Sequence, residues 1–365
     1  MKLLFVHPSV ELYGADKIML YMLKMLNAKH EITVLLPKDG VLVEYIKAIS
    51  TKIEIKIFAK LPIVHSKLKL LDYVKLPSKI FQCRRLFSGK KFDYCFCNTL
   101  ATVLLLFAHF SRKRVLYVHE IISNTFLNFG FSFLAKTGAN EVVCVSEHVK
   151  QNLFFSGKYP VVHNGIPDIA AVFLENKINS DGKIRFVLPG RFMPQKGQWF
   201  LLSALHKLPE EYKRKIHIDL FGSAPPFKPE LYARLQDDVK SKNLIGLVSV
   251  HDFSQNIDEM YKSANVVLVP SLMSDPFPTT VLEAMMFSRP VITTDNGGAV
   301  EILDETFSRT IKPNDDMSFV TAIEFFVDNV NLLADYSKLA RNAFCSYLTL
   351  EHYEKRFFDL FGELR

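Results

Sequence analysis

Short apolar runs alternate with stretches of helical periodicity along the whole chain. In the first half, residues 3–6, 32–36, 53–57, 94–97, 115–118 and 142–145 read as buried strands. Between the first two, Ala15, Met19, Met22 and Leu26 keep one apolar face at helical spacing. A polar stretch near 175–183 follows, and then the alternation starts again. Residues 184–188, 217–221, 247–250, 266–269 and 291–293 predict strands. Leu201, Ala204, Leu205 and Leu208, at i, i+3, i+4 and i+7, predict an amphipathic helix after the first of them. Strands alternating with helices make a parallel α/β architecture. Two such sets across a polar junction predict two Rossmann-like parallel-sheet domains facing a cleft. The first domain is expected over 1–166 and the second over 167–346, with a C-terminal helix within 347–365 returning to the first. Open parallel sheets bind ligands at the carboxyl ends of their strands, so the loops there are where chemistry is sought.

Composition narrows the class. A chain of 365 residues suits two domains at roughly 150 residues each. Apolar residues at 49% and charged residues at 23% are ordinary for a globular protein with a full core. The formal charge is +7, and its excess is local: between 60 and 91 stand nine Lys or Arg against one acid, Asp72. Pro62 and Pro77 are expected to break this stretch, while Ile80, Cys83 and Phe87 share a helical face beside Lys79, Arg84, Arg85 and Lys90. Such a face can meet an anionic membrane surface, at about 1 kcal/mol per well-placed cation, or be the solvated side of a core helix. The Phe-rich segment 126–134 could add apolar contact, though core packing is the simpler reading. Nucleic acid is disfavoured, because the basic stretch lacks interleaved aromatic platforms.

Five cysteines form neither a metal-ligand spacing nor an even framework, which predicts a reduced, cytoplasmic protein and no metal site. Four apolar residues before His7-Pro8 are too few for a signal-peptide core. The apolar run 100–110 is eleven residues long and cannot span a bilayer. The expectation is a soluble protein, or one peripheral on the inner face of the plasma membrane.

Two segments carry candidate chemistry. Pro189-Gly190-Arg191-Phe192-Met193-Pro194-Gln195-Lys196-Gly197 follows a strand and opens a helix, with two cations five residues apart. A helix start beside cations suits a phosphate group, with Arg offering a planar fork and Lys a point charge. On this segment alone, an exposed loop with ordinary surface charges reads as well. The second segment, 271–285, places Asp275 in a Pro-rich loop and Glu283 eight residues later, about one turn into a helix starting near Thr279. The loop acid could meet a sugar hydroxyl and the helical acid a ribose, leaving the amides of Thr279 and Thr280 for phosphate. Alternatively, Asp275 caps a turn and Glu283 is solvated.

Taken together, these residues resemble family 4 of the retaining glycosyltransferases, which adopt the two-domain GT-B fold. The stretch Asp275 to Glu283 is similar to the family's E-x7-E region, and Gly190-Arg191 with Lys196-Gly197 to its G-R-x4-K-G motif. Val162-His163-Asn164-Gly165-Ile166 resembles the V-x-N-G-[IV] segment near the hinge, and Leu12-Tyr13-Gly14-Ala15-Asp16 the loop after the first strand. Val118-His119-Glu120 stands where the family carries a donor-contacting histidine, and Gly297-Gly298 with Glu301-Ile302 resembles a further recurring segment. The resemblance implies that Arg191 and Lys196 hold the donor diphosphate, that Asp275 and His119 contact the transferred sugar, and that Glu283 binds the ribose. It also implies donor-binding positions at Gly14, Gly190, Gly222, Phe277, Thr279 and Thr280. No cofactor or metal is implied; the partners are a nucleotide-sugar donor and a glycan or lipid-linked acceptor, as in lipopolysaccharide or capsule assembly.

Two departures stand out. Asp275 replaces the usual Glu and shortens the carboxylate by one methylene. Pro278 replaces a common Gly and contributes no amide. Neither removes a charge. A nucleotide-sugar epimerase on the same scaffold needs extra acid-base residues beside the sugar, and a non-catalytic binding protein would be expected to lose Arg191, Lys196 or the acids. Transfer therefore leads.

Overall fold

The computed structural model describes residues 1–64, 70–178, 180–252 and 257–365, with side chains from 75 onward in the helix Leu70–Arg85. Twelve strands among them form two sheets, every pairing parallel. Strands β1 (Lys2–Val6), β2 (Glu31–Leu36), β3 (Glu54–Ile57), β4 (Phe92–Asn98), β5 (Ser111–Val118) and β6 (Glu141–Cys144) lie in the order β3-β2-β1-β4-β5-β6. Strands β7 (Ile184–Pro189), β8 (Ile216–Phe221), β9 (Val248–His251), β10 (Val266–Val269), β11 (Val291–Thr294) and β12 (Ser308–Ile311) lie in the order β12-β11-β10-β7-β8-β9. Counted within its own unit, each sheet has the same doubly wound order, and its direction of winding reverses once, between β1 and β4 and between β7 and β10. These switch points are where such sheets leave a crevice for ligands.

The chain divides into two units, Met1–Asn164 with Tyr353–Arg365, and Gly165–His352. The first break falls inside the segment Val162 to Ile166. The return comes at Tyr353 rather than 347, because Ile166 N–H bonds Leu348 C=O at 3.1 Å and Leu350 N–H bonds Ile166 C=O at 2.9 Å, which ties 348–350 to the second unit. From Tyr353 onward the chain packs on the first sheet. Phe357 and Phe361 lie against Phe96, and Phe96 stacks on Phe5 at 4.8 Å.

Strands read from the apolar runs are present. The edge strand β12 escapes that reading, since its sequence Ser308-Arg309-Thr310-Ile311 buries only Ser308 and Ile311. In the second unit the helix Gln198–Lys207 buries Leu201, Ala204 and Leu205 against Phe319, Ile323 and the sheet.

The basic stretch differs from expectation at Pro77, Phe87 and Lys90. Residues 65–69, with Lys67 and Lys69, lie outside the described residues. The helix Leu70–Arg85 runs through Pro77, an exposed position, and burial of Leu76 and Cys83 on its other side offsets the roughly 3 kcal/mol a mid-helix proline costs. Phe87 is in the core, edge-on to Phe92 and Phe110, because it ends the turn that packs on β4. Lys90 is committed to Glu54 at 2.8 Å, and its ammonium holds that carboxyl down to about 2 against the opposing effect of burial. Lys79 is half-buried, while Arg84 and Arg85 are exposed beside Phe81 and Leu86.

Segment 126–134 is not core. On the helix Thr125–Gly138, Phe126, Phe129 and Phe133 are 86%, 48% and 52% exposed, and the buried face is made by Asn128, Ser132, Ala135 and Gly138. Small and amide side chains on that face let the helix sit close to its support, which turns the Phe positions outward.

Candidate functional site

In the second unit the loops after β7 and β10 meet at the switch point. Lys196 Nζ donates to Asp275 Oδ2 at 2.7 Å, with the side chains 39% and 21% exposed. Hydrogen bonds to one carbonyl hold the loops together: Leu272 N–H donates to Gln195 C=O at 2.8 Å, and the Ser271 hydroxyl donates to the same oxygen at 3.2 Å. Gly197, at φ +83°, sits against Pro270, where a Cβ would overlap the proline carbonyl. That contact and the left-handed φ both require glycine, and together they set the distance from Lys196 to the next loop. Arg191 lies half-buried in the same loop, its carbonyl bonded at 3.0 Å by the fully buried Gln198.

Gly222, after β8, packs on the Gly190 carbonyl, so close that a Cβ would overlap it. Its place is support beneath the Gly190-Arg191 loop. On the other side, Gly298 N–H bonds the Asp275 carbonyl at 2.9 Å, so the Gly297-Gly298 segment after β11 holds the acid's main chain.

The helix Thr279–Met286 begins beside Asp275, with Pro278 as its cap. Val281 N–H bonds Pro278 C=O at 3.1 Å, whereas the amides of Thr279 and Thr280 have no partner among the described residues. Phe277 is buried. Glu283 is half-buried and accepts a hydrogen bond from Tyr261 Oη at 2.9 Å. Burial, with Glu283 second, pushes the Tyr261 phenol well above its usual pKa, so it remains a donor that fixes the carboxylate. Tyr261 and Gln198 were not found from sequence, since each lies within an ordinary helical pattern.

In the first unit the candidates gather at the carboxyl ends of β1, β4 and β5. Gly14 opens the helix Gly14–Leu26, and Tyr13 N–H before it donates to Asp16 Oδ2 at 2.7 Å. His119 follows β5, stacks on Tyr117 at 5.5 Å and bonds Asn98 Oδ1 through Nε2 at 3.0 Å. Burial, and then the neighbouring His7, push the His119 imidazole down to about 3, so it is neutral. His7 and Asn98 were also missed, although each is a polar residue closing an apolar strand. Among the described residues no group of three potential metal ligands occurs, and no single helix is long and apolar enough to cross a membrane.

Residues 173–343, nearly all of the second unit, match the family model described as Glycosyl transferases group 1. An uncharacterised glycosyltransferase of Methanocaldococcus jannaschii is 30% identical over 188 residues, covering 47% of this chain and 46% of its own. O-antigen chain mannosyltransferase C of Escherichia coli is 24% identical over 185 residues, covering 49% and 46%. The matches span about half the length of these curated relatives. Among solved structures, Anabaena HepE in complex with UDP is similar at TM-score 0.82 and 19% identity over 100% of both chains, a likeness of fold. The two parallel-sheet units share the GT-B fold, and residues 173–343 within the second carry the match to the group 1 model.

Proposed function

We propose that the chain transfers a sugar, with retention of configuration, from a nucleoside-diphosphate sugar to a glycan or lipid-linked acceptor of a surface polysaccharide. The observation that carries this is the Lys196–Asp275 pair at the β7/β10 switch point, beside the open amides of Thr279 and Thr280. Lys196, Arg191 and the amides suit a diphosphate, Asp275 a sugar hydroxyl, and Glu283, oriented by Tyr261, a ribose. His119 offers its neutral imidazole to a hydroxyl of a sugar-bearing substrate. The bond from the anomeric carbon to the phosphate oxygen breaks, and the acceptor oxygen bonds the same face of that carbon. The acceptor proton passes to the departing phosphate, whose growing charge Lys196 and Arg191 stabilise. These cations stand in for a metal, so transfer is expected to persist in EDTA.

A surface-polysaccharide acceptor is supported by the O-antigen relative. Uridine is the first base to test, because HepE is described in complex with UDP and with UDP-glucose. A cytoplasmic enzyme, peripheral on the plasma membrane, fits four buried free cysteines and the basic, Phe-bearing surface of the first unit.

The test is a thermal-shift screen of nucleoside diphosphates and their sugars, since a bound ligand raises stability by mass action. One nucleotide should stabilise the parent and lose its effect in Lys196→Ala. Turnover should fall in that variant about 10²–10³-fold, as for one transition-state charge contact. Parental kinetics in Lys196→Ala would remove the assignment, and an epimer formed from donor alone would favour the epimerase.

A further inference from the structure

Across the β1/β4 switch point of the first unit, four polar side chains join end to end. Asp16 Oδ1 meets His7 Nε2; His7 Nδ1 lies 2.9 Å from Asn98 Nδ2; Asn98 Oδ1 lies 3.0 Å from His119 Nε2. Asp16, His7 and Asn98 are at most 2% exposed. The chain has a direction. A carboxylate only accepts, so the His7 proton is on Nε2 and its Nδ1 is a lone pair. The Asn98 amide is oriented independently, because the same Nδ2 lies 3.3 Å from the carbonyl of Ala15, which also only accepts. The Asn98 oxygen therefore faces His119 and takes a proton from its Nε2. Nδ1 of His119 is then a lone pair, and it has no partner among the described residues.

The backbone agrees that this geometry is imposed. Thr99, directly after Asn98, holds φ +89°, which a β-branched residue rarely adopts. It is clamped by Thr99 N–H to Tyr117 C=O at 2.8 Å and by Leu100 N–H to Glu120 at 3.0 Å. Strain of this kind persists only where the surroundings over-determine it, and such places cluster at functional sites.

We propose that Asp16, His7 and Asn98 are positioning residues that hold His119 as the Nε2–H imidazole and so present Nδ1 as an acceptor for a substrate hydroxyl. This rests on the reading that His119 meets the sugar. It adds that the group met there must be a hydrogen-bond donor.

The experiment is nitrogen-15 NMR of the full chain labelled at histidine, with His119 assigned through His119→Gln. The parent should show a neutral Nε2–H ring from pH 7.5 to 5.5, a measurement that needs no variant to fold. Asn98→Leu should mix the tautomers. His7→Gln keeps one acceptor and one donor and should preserve the pattern, whereas His7→Phe should lose it. By calorimetry, Asn98→Leu should weaken UDP-glucose about tenfold and leave UDP unchanged, a split that simple destabilisation would not produce. A parent His119 that is protonated or carries its proton on Nδ1 overturns the proposal, as does equal weakening of UDP and UDP-glucose. UDP binding retained in Lys196→Ala would instead sink the donor reading, so the two fail separately.

Discussion

Lys196 and Asp275 stand 2.7 Å apart although 79 residues separate them along the chain. Each closes a loop after a strand, β7 and β10, and those strands are neighbours in the sheet without being consecutive. The pair is held by three loops rather than one: Gly197 against Pro270, Gln195 bonded to Leu272, and Gly298 bonded to the Asp275 carbonyl. A salt bridge this exposed contributes little stability, about 0–1 kcal/mol. Its interest is in what the two charges can reach.

Asp275→Asn keeps size and removes charge. We expect impaired transfer with an unchanged unfolding midpoint, measured as kcat/KM on the identified donor. Asp275→Glu adds a methylene between a fixed main chain and Lys196, and should give partial activity or a changed donor preference. Parental rates in Asp275→Asn would show that the acid has no role.

Gly222→Ala puts a methyl into the Gly190 carbonyl. Relief requires the Gly190-Arg191 loop to move, at a cost of about 1–3 kcal/mol for overpacking. The thermal midpoint should fall, and nucleotide binding with it, because Arg191 is in the displaced loop. An alanine variant with parental stability and binding would mean the loop is free to shift.

His119 makes stability depend on pH. Its folded pKa, pushed to about 3 by burial and by His7, lies below the unfolded value of about 6.5. Between these values the unfolded chain binds a proton that the folded chain does not, so stability falls as pH drops below about 6.5 and is unaffected above it. At pH 5.5 the loss is at most about 1.4 kcal/mol, an upper limit because the ring is partly exposed. Urea titrations at pH 7.5 and 5.5 should show this drop in the parent and a smaller one in His119→Gln. Equal drops would place the acid sensitivity elsewhere.

Membrane association should depend on two groups of residues. Changing Lys79, Arg84 and Arg85 to Ser should weaken co-sedimentation with anionic vesicles and its salt sensitivity, because exposed charges are screened over about 8 Å at physiological ionic strength. Changing Phe126, Phe129 and Phe133 to Ser should weaken binding at every salt concentration, since apolar insertion is not screened. Lys90→Ser should matter little, as Lys90 is paired with Glu54. Equal sedimentation with neutral and anionic vesicles in all variants would leave both faces simply solvated.

Much of the molecule was legible in the sequence. The strand runs and the loops carrying Arg191, Lys196, Asp275 and Glu283 follow from periodicity and from charges placed after strands, whereas the division between units falls at Asn164, before the polar stretch 175–183. Periodicity is local, so it survives without knowledge of neighbours. It fails where an element takes its stability from tertiary contacts: β12 is polar along most of its length, and the helix Leu70–Arg85 tolerates Pro77 because its other face is buried.

The amino-acid sequence by itself determined the α/β class, the doubled set of strands and the charged candidates, because each depends on residues a few positions apart. Only the tertiary structure decided which of those groups touch. Strand order sets β1 beside β4 and β7 beside β10, and with it the contacts of Asn98 with His7 across 91 residues and of Lys196 with Asp275 across 79. It also decided that Phe87 packs inward and that Phe126, Phe129 and Phe133 face solvent. A helix periodicity says that one face is buried; which face is chosen depends on the shape of the surface it meets.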